Sequence, residues 1–149
     1  VGVVTENGYE KLNCEKLDFS YRCWPYFCKY AGHGIIVDAD FSLIVEDSKV
    51  IEQGMKELLQ KRKNIQPHNY PNGGSCFKNP PEKSAGQLIE ECGLKGVSIG
   101  GAMVSEKHAN FIINYKKATA ADVMSLMERV QQVVFERCSI HLEPELHLM

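Results

Sequence analysis

No run of apolar residues in this sequence approaches the roughly 18 that a membrane-spanning helix requires, and no N-terminal secretion signal is visible. There is no basic run with interleaved aromatics, and the net charge is −2, which argues against a nucleic-acid partner. No internal repeat and no low-complexity tract interrupts the chain. There is also no C-x-x-C: the six cysteines (14, 23, 28, 76, 92 and 138) have neither metal-site nor disulfide-scaffold spacing. Small semi-buried thiols in a reducing cytoplasm are therefore expected. The chain opens Val1-Gly2-Val3-Val4 without an initiator methionine, already strand-like, so a piece of a longer polypeptide is expected.

What is present suits a globular protein. At 149 residues, 44% hydrophobic and 24% charged, the chain can build one domain with a real core, or one domain plus a fragment of another. Val1 to Glu15 predicts a strand, a turn at Asn7-Gly8 and a second extended piece. Phe19 to Tyr30 is aromatic-rich and broken by Pro25, with Gly32 and Gly34 following. Ile35 to Val45 alternates, with Val37, Ala39, Phe41, Leu43 and Val45 on one side, and predicts a half-buried strand. Asp47 can cap a helix over Ser48 to Arg62, whose Ile51, Met55, Leu58 and Leu59 form a stripe. Asn64 to Asn72 is a connector, and a domain boundary is expected there, dividing 1–69 from 70–149.

The second half carries firmer punctuation. Ser84 with Gln87 forms a capping box and Gly93 stands where a C-terminal cap belongs, which predicts a helix over 85–92. Strands follow near 102–104 and 109–114. Thr119 caps a long helix over 120–137 with Val123, Leu126, Met127, Val130, Val133 and Val134 on one face. Ile140 to Leu148 predicts a last strand. Helices segregated from a small sheet in this order give an α+β fold.

Three places could carry chemistry. Gly73-Gly74-Ser75-Cys76-Phe77-Lys78-Asn79-Pro80 can hold a serine rigidly beside a cation and an amide, although most Gly-Ser turns merely bond their own backbone. In the last strand His141, Glu143, Glu145 and His147 share a face, either as a solvated edge or as metal donors, with nothing else supplying a fixed ligand set. Arg22 stands between Tyr21 and two residues on Trp24, where a surface or cation–π arginine is the ordinary reading.

Several blocks in register point further. Gly74-Ser75-Cys76-Phe77-Lys78-Asn79-Pro80 resembles the G-S-x-F-K-N-P segment of the UDP-N-acetylenolpyruvoylglucosamine reductases, flavoenzymes of bacterial wall synthesis. Ala85 to Glu90, Gly93-Leu94-Lys95-Gly96, Ile99 to Ala102, Val104 to Asn114 and Leu142-Glu143-Pro144-Glu145 follow in the family's order. Phe19-Ser20-Tyr21-Arg22 resembles its F-x-Y-R. The resemblance covers most of the chain from about residue 17.

The resemblance implies a reduction of UDP-N-acetylglucosamine enolpyruvate in the cytoplasm, for peptidoglycan synthesis. Hydride would come from FAD recharged by NADPH. Ser75 would protonate C2 of the enolpyruvyl ether, while Arg22 and Glu145 stabilise the charge developing on its carboxylate. Asn79, Lys95 and His108 would contact the UDP-sugar, and Lys78 could ease the proton off Ser75. Ser75, Arg22 and Glu145 should then converge on one cavity. The family's FAD-binding segment precedes F-x-Y-R and is not found in residues 1–16. Residues 1–69 would then be the incomplete tail of a FAD-binding domain and 70–149 the substrate domain, with the FAD-binding part on a separate or cleaved segment. Trp24 departs from the serine the family often has there, and Cys76 offers a rival thiol chemistry. Two alternatives remain: a UDP-sugar-binding module without catalysis, and a metal or thiol redox domain.

Overall fold

A computed structural model of the chain describes residues 1–26 and 34–146. Cys28, Tyr30, Gly32, His147 and Leu148, named above, lie outside them. The chain divides into two compact units, Val1–Asp47 and Ser48–Met149. Its described residues form helices and two small antiparallel sheets, an α+β fold as expected. Among the described residues, no helix is long and apolar enough to cross a membrane.

In the first unit, β1 (Gly2–Thr5) and β2 (Gly8–Lys11) form the expected hairpin, Thr5 opposite Gly8 and Gly2 opposite Lys11. β3 (Gly34–Asp38) pairs with the other edge of β1, giving the order β2-β1-β3. Val3, Leu12 and Trp24 make its small core. β3 departs from the expected strand over Ile35 to Val45, because pairing with β1 ends at Gly2 opposite Asp38 and no further strand residue remains to hydrogen-bond. The alternating apolar residues beyond are therefore unpacked: Phe41, Leu43 and Val45 are 81%, 84% and 98% exposed.

The second unit opens with α1 (Ser48–Ile65), one turn longer than expected. No residue of α1 is buried, and its Ile51, Met55, Leu58 and Leu59 stripe is exposed. Side chains four residues apart support the helix instead: Glu52 with Lys56 at 2.7 Å and Gln53 with Glu57 at 2.7 Å.

Behind α1 comes the main core. β4 (Asn72–Ser75), β5 (Ser98–Ile99), β6 (Ala102–Val104) and β7 (Phe111–Asn114) form an antiparallel sheet in the order β4-β7-β6-β5. α2 (Ala85–Glu91) starts at Ser84, whose hydroxyl accepts from Gln87 N and donates to the Gln87 side chain. It ends with Gly93 in the left-handed region at φ 66°. α3 (Ala120–Cys138) starts with a complete capping box, Thr119 and Asp122 each accepting from the other's backbone. Its Leu126, Val130, Val133 and Val134 are buried against Leu88, Ile89, Ala102 and Val104. Each fully buried aliphatic side chain of this kind contributes about 1.5–3 kcal/mol.

The last stretch is a correction. Residues 140–146 form only an isolated bridge, Pro144 to Phe77, rather than a continuous strand. Leu142 is buried and Ile140 and Leu146 pack on the core, so the alternation works for three of the four described apolar positions, while Pro144 is exposed.

Candidate functional site

The serine loop is an edge strand. Asn72 and Ser75 pair with Ile113 and Phe111, and the register shifts between them, so Gly73 and Gly74 form an irregularity in the edge strand β4. Each glycine is needed for a different reason. Gly74 has φ 87°, where a side chain would be strained, and a Cβ on Gly73 would come within 3.1 Å of the Leu146 side chain. Asn72 ties the turn: its Nδ2 donates to Pro67 O and Tyr70 O, and its Oδ1 accepts from Gly74 N at 3.1 Å.

Immediately after Ser75 the chain is gripped from two sides. Asn110, buried, accepts from Phe77 N at 3.0 Å and donates to Phe77 O at 2.8 Å, while its own carbonyl accepts from Cys76 N. On the other side, Glu145 N donates to Cys76 O at 2.8 Å and Lys78 N donates to Glu143 O at 2.9 Å. The backbone next to Ser75 is therefore hydrogen-bonded to Glu145, although 70 residues separate them in the chain. Both side chains are half-buried.

Lys78 has a structural partner. Its Nζ bonds Glu143 Oε1 on the protein surface, which is where the pairing of residues 76–78 with 143–145 directs both chains. Cys76 is buried, and burial pushes its thiol up to about 11, so it stays protonated near neutral pH. That weakens the rival thiol chemistry at this loop. Asn79 caps the approach to α2, its Oδ1 accepting from Ala85 N at 3.0 Å.

Lys95 and His108 belong to one neighbourhood. Ser105, buried, accepts from Lys107 N and His108 N and so shapes the turn that presents His108. The imidazole packs edge-on against Phe111 at 4.8 Å, and its Nδ1 accepts from Asn110 N. Burial lowers its pKa below the ordinary value, and the Lys95 ammonium pulls the same way. His108 lines a hollow of about 160 Å³ with Ser84, Gly86, Gln87, Glu90 and Lys107. Lys95 Nζ sits 2.6 Å from Glu90 Oε1 at its edge.

A larger hollow of about 360 Å³ lies along the 67–70 connector, Met103, Ile113 and Tyr115, and a third beside Met127 and Leu146. None of the three hollows is lined by Ser75 or Glu145.

Arg22 belongs to the first unit. Ser20 and Cys23 exchange backbone hydrogen bonds of 2.9 and 3.1 Å, so Tyr21 and Arg22 form a turn, with Arg22 at φ 55°. Its guanidinium lies 5.5 Å from the Tyr21 ring centre. Trp24 is 7% exposed and stacks on Tyr26, so the large residue at the family's serine position is a core anchor below the turn.

The remaining candidates are the cysteines, where the expectation is corrected, and the His/Glu face of the last stretch. Cys14 and Cys23 are exposed rather than semi-buried. His141 stacks on Phe135 at 4.0 Å, and among the described residues no group of three or more His, Cys, Asp or Glu is placed to hold a metal ion. Asn72 and Asn110, which build the serine loop, were not singled out from the sequence. Their one visible mark was membership of segments already dense in motif residues.

The sequence model for the C-terminal domain of UDP-N-acetylenolpyruvoylglucosamine reductase matches residues 66–149. The chain belongs to this family. It is 46% identical over 138 residues to the reductase of Caldanaerobacter subterraneus subsp. tengcongensis, covering 93% of this chain and 45% of that protein. With the Listeria welshimeri reductase it shares 49% over 141 residues, covering 94% and 46%. The crystal structure of UDP-N-acetylenolpyruvylglucosamine reductase from Thermus caldophilus superposes with a TM-score of 0.76 at 37% identity, over 97% of this chain and 50% of that one. The chain thus spans about half the length of the curated relatives it matches. Within the reductase family's C-terminal domain, Ser75, Glu145, Asn79, Lys95 and His108 all fall inside the matched segment, while Arg22 precedes it.

Proposed function

We propose that this chain is the substrate-binding and proton-donating portion of a UDP-N-acetylglucosamine enolpyruvate reductase acting in peptidoglycan precursor synthesis. The observation that supports the reading is the backbone hydrogen bond from Glu145 N to Cys76 O, which ties the segment that follows Ser75 to the segment that carries Glu145 inside the matched family domain.

In this reading FAD, re-reduced by NADPH, supplies the hydride that C3 of the enolpyruvyl ether receives. At the start of α2, Asn79 and Ser84 take the amides of Ala85 and Gln87, and at the start of α3 Thr119 takes that of Asp122, so these amides do not fit a dinucleotide's diphosphate. The flavin is assigned to the half of the family's length that this chain does not span. The chain's own residues handle the other half of the addition. Asn79, Lys95 and His108 bind the UDP-sugar. Arg22 and Glu145 meet the negative charge that develops on C2 and its carboxylate, a task suited to a permanently charged fork and a positioned acid. Ser75 gives its proton to C2. A hydroxyl is a weak acid in water, so its competence depends on a held geometry.

In the protein of the family's full length, Ser75→Ala should leave NADPH-dependent flavin reduction intact and slow turnover of the enolpyruvyl sugar by about 10²–10⁴-fold. Near-normal turnover would remove Ser75 from the role. A second reading, a UDP-sugar-binding module without catalysis, is favoured for the chain alone because His108, Lys95 and Asn79 all lie in one unit. Titration of the isolated chain with the UDP-sugar, alongside a search for flavin absorbance, separates the two.

A further inference from the structure

Cys92 caps the C-terminus of α2 and Cys138 is the last residue of α3. Their sulfur atoms are 3.8 Å apart. Arg137, next to Cys138, donates from Nη1 to Cys92 O at 3.0 Å, so the two helix ends are already tied through a second contact. A disulfide needs its sulfurs about 2.05 Å apart. The remaining closure is roughly 2 Å, within the reach of side-chain rotation at a packed helix junction. Cys92 is 4% exposed and Cys138 half-buried, so an oxidant reaches Cys138 first and Cys92 is the thiol waiting behind it.

We propose that Cys92 and Cys138 form a peroxide-sensitive thiol pair that closes to a disulfide and locks α2 to α3. The Cys138 thiolate attacks one oxygen of hydrogen peroxide, breaking the O–O bond, releasing hydroxide and leaving a sulfenic acid. Cys92 sulfur then attacks the Cys138 sulfur, the S–O bond breaks, and its oxygen leaves as water with the Cys92 proton. Over both steps two thiols lose two electrons and two protons, and one peroxide becomes two waters. The crosslink encloses β5, β6 and β7, together with Lys95 and His108.

The geometry also limits the chemistry. Burial holds the Cys92 thiol above its ordinary pKa, and its contact with Cys138 adds to this. Cys92 therefore reacts slowly with peroxide itself and is kept for the resolving step. Among the described residues, Cys14 and Cys23 are exposed and compete for the oxidant.

The test is differential alkylation of the full chain before and after stoichiometric peroxide, with peptide mapping. The expected result is a linked peptide pair carrying Cys92 and Cys138, lighter by two hydrogens, with two of the six thiols lost and both restored by dithiothreitol. Cys138→Ser should abolish the link, and Cys92→Ser should leave Cys138 trapped as a sulfenic acid reactive to dimedone. Because the mapping uses the unsubstituted protein, poor folding of a variant does not blunt it. Recovery of Cys92 and Cys138 as free thiols while Cys14 or Cys23 oxidises would overturn the proposal.

Discussion

At the scale of single residues, Asn110 holds more of the site than any side chain with a direct chemical role. Its amide satisfies both the N–H and the carbonyl of buried Phe77. Asn110→Ala leaves those two groups without partners, each worth about 1–3 kcal/mol when stranded in the interior. Loss of roughly 2–6 kcal/mol is expected in a urea melt. Asn110→Asp should lose less, because it keeps the acceptor for Phe77 N. Cys76 makes a second prediction, through pH. Its folded pKa of about 11 lies above the ordinary 9.0, so the folded state holds its proton more tightly than the unfolded state. The associated stability is complete below about pH 9 and is lost as pH rises toward 11, by roughly 2–3 kcal/mol. Cys76→Ala should flatten that part of the stability profile. An unchanged slope between wild type and variant would contradict the burial argument.

Secondary-structure elements differ in what holds them. α3 is secured at its start by Thr119 and Asp122, and Asp122 also accepts from Gly101 N, joining the helix to the turn between β5 and β6. Those hydrogen bonds lower the Asp122 pKa below the usual carboxylate value, so the cap weakens only as pH falls into the acid range below that value. Thr119→Ala is expected to cost about 1 kcal/mol by chemical denaturation, while Thr119→Ser should cost little. α1 buries none of its residues. Its stripe and the run from Phe41 to Val45 show that periodicity specifies which residues share a side, and leaves open whether a second layer covers it.

The whole molecule is uneven. The first unit's core is three residues with a few partly buried neighbours, and the second unit's is far larger. Trp24, the single tryptophan, sits in the smaller core. Among the described residues, the long helices α1 and α3 and the shorter α2 lie in the second unit. Tryptophan fluorescence should therefore report loss of the first unit at a lower urea concentration than the helical circular-dichroism signal reports loss of the second. Coincident midpoints would show that the units unfold as one. Hydrogen exchange offers a parallel check, with Val104 and Ile112 protected longest.

The chain's local chemistry was legible before any coordinates. Ser84, Gly93 and Thr119 marked helix ends because capping is settled by a few neighbouring residues, and the apolar face of α3 followed from period alone. The blocks around Ser75 named the family for the same reason: they are contiguous. What tertiary structure decided was everything that depends on residues distant in sequence. It stopped β3 at Asp38, reduced the last strand to a bridge, turned Lys78 toward Glu143, and set Cys76 against Glu145 and Cys92 against Cys138. Strand pairing and thiol contact are bought with closure of long loops, and no local window of sequence carries that information.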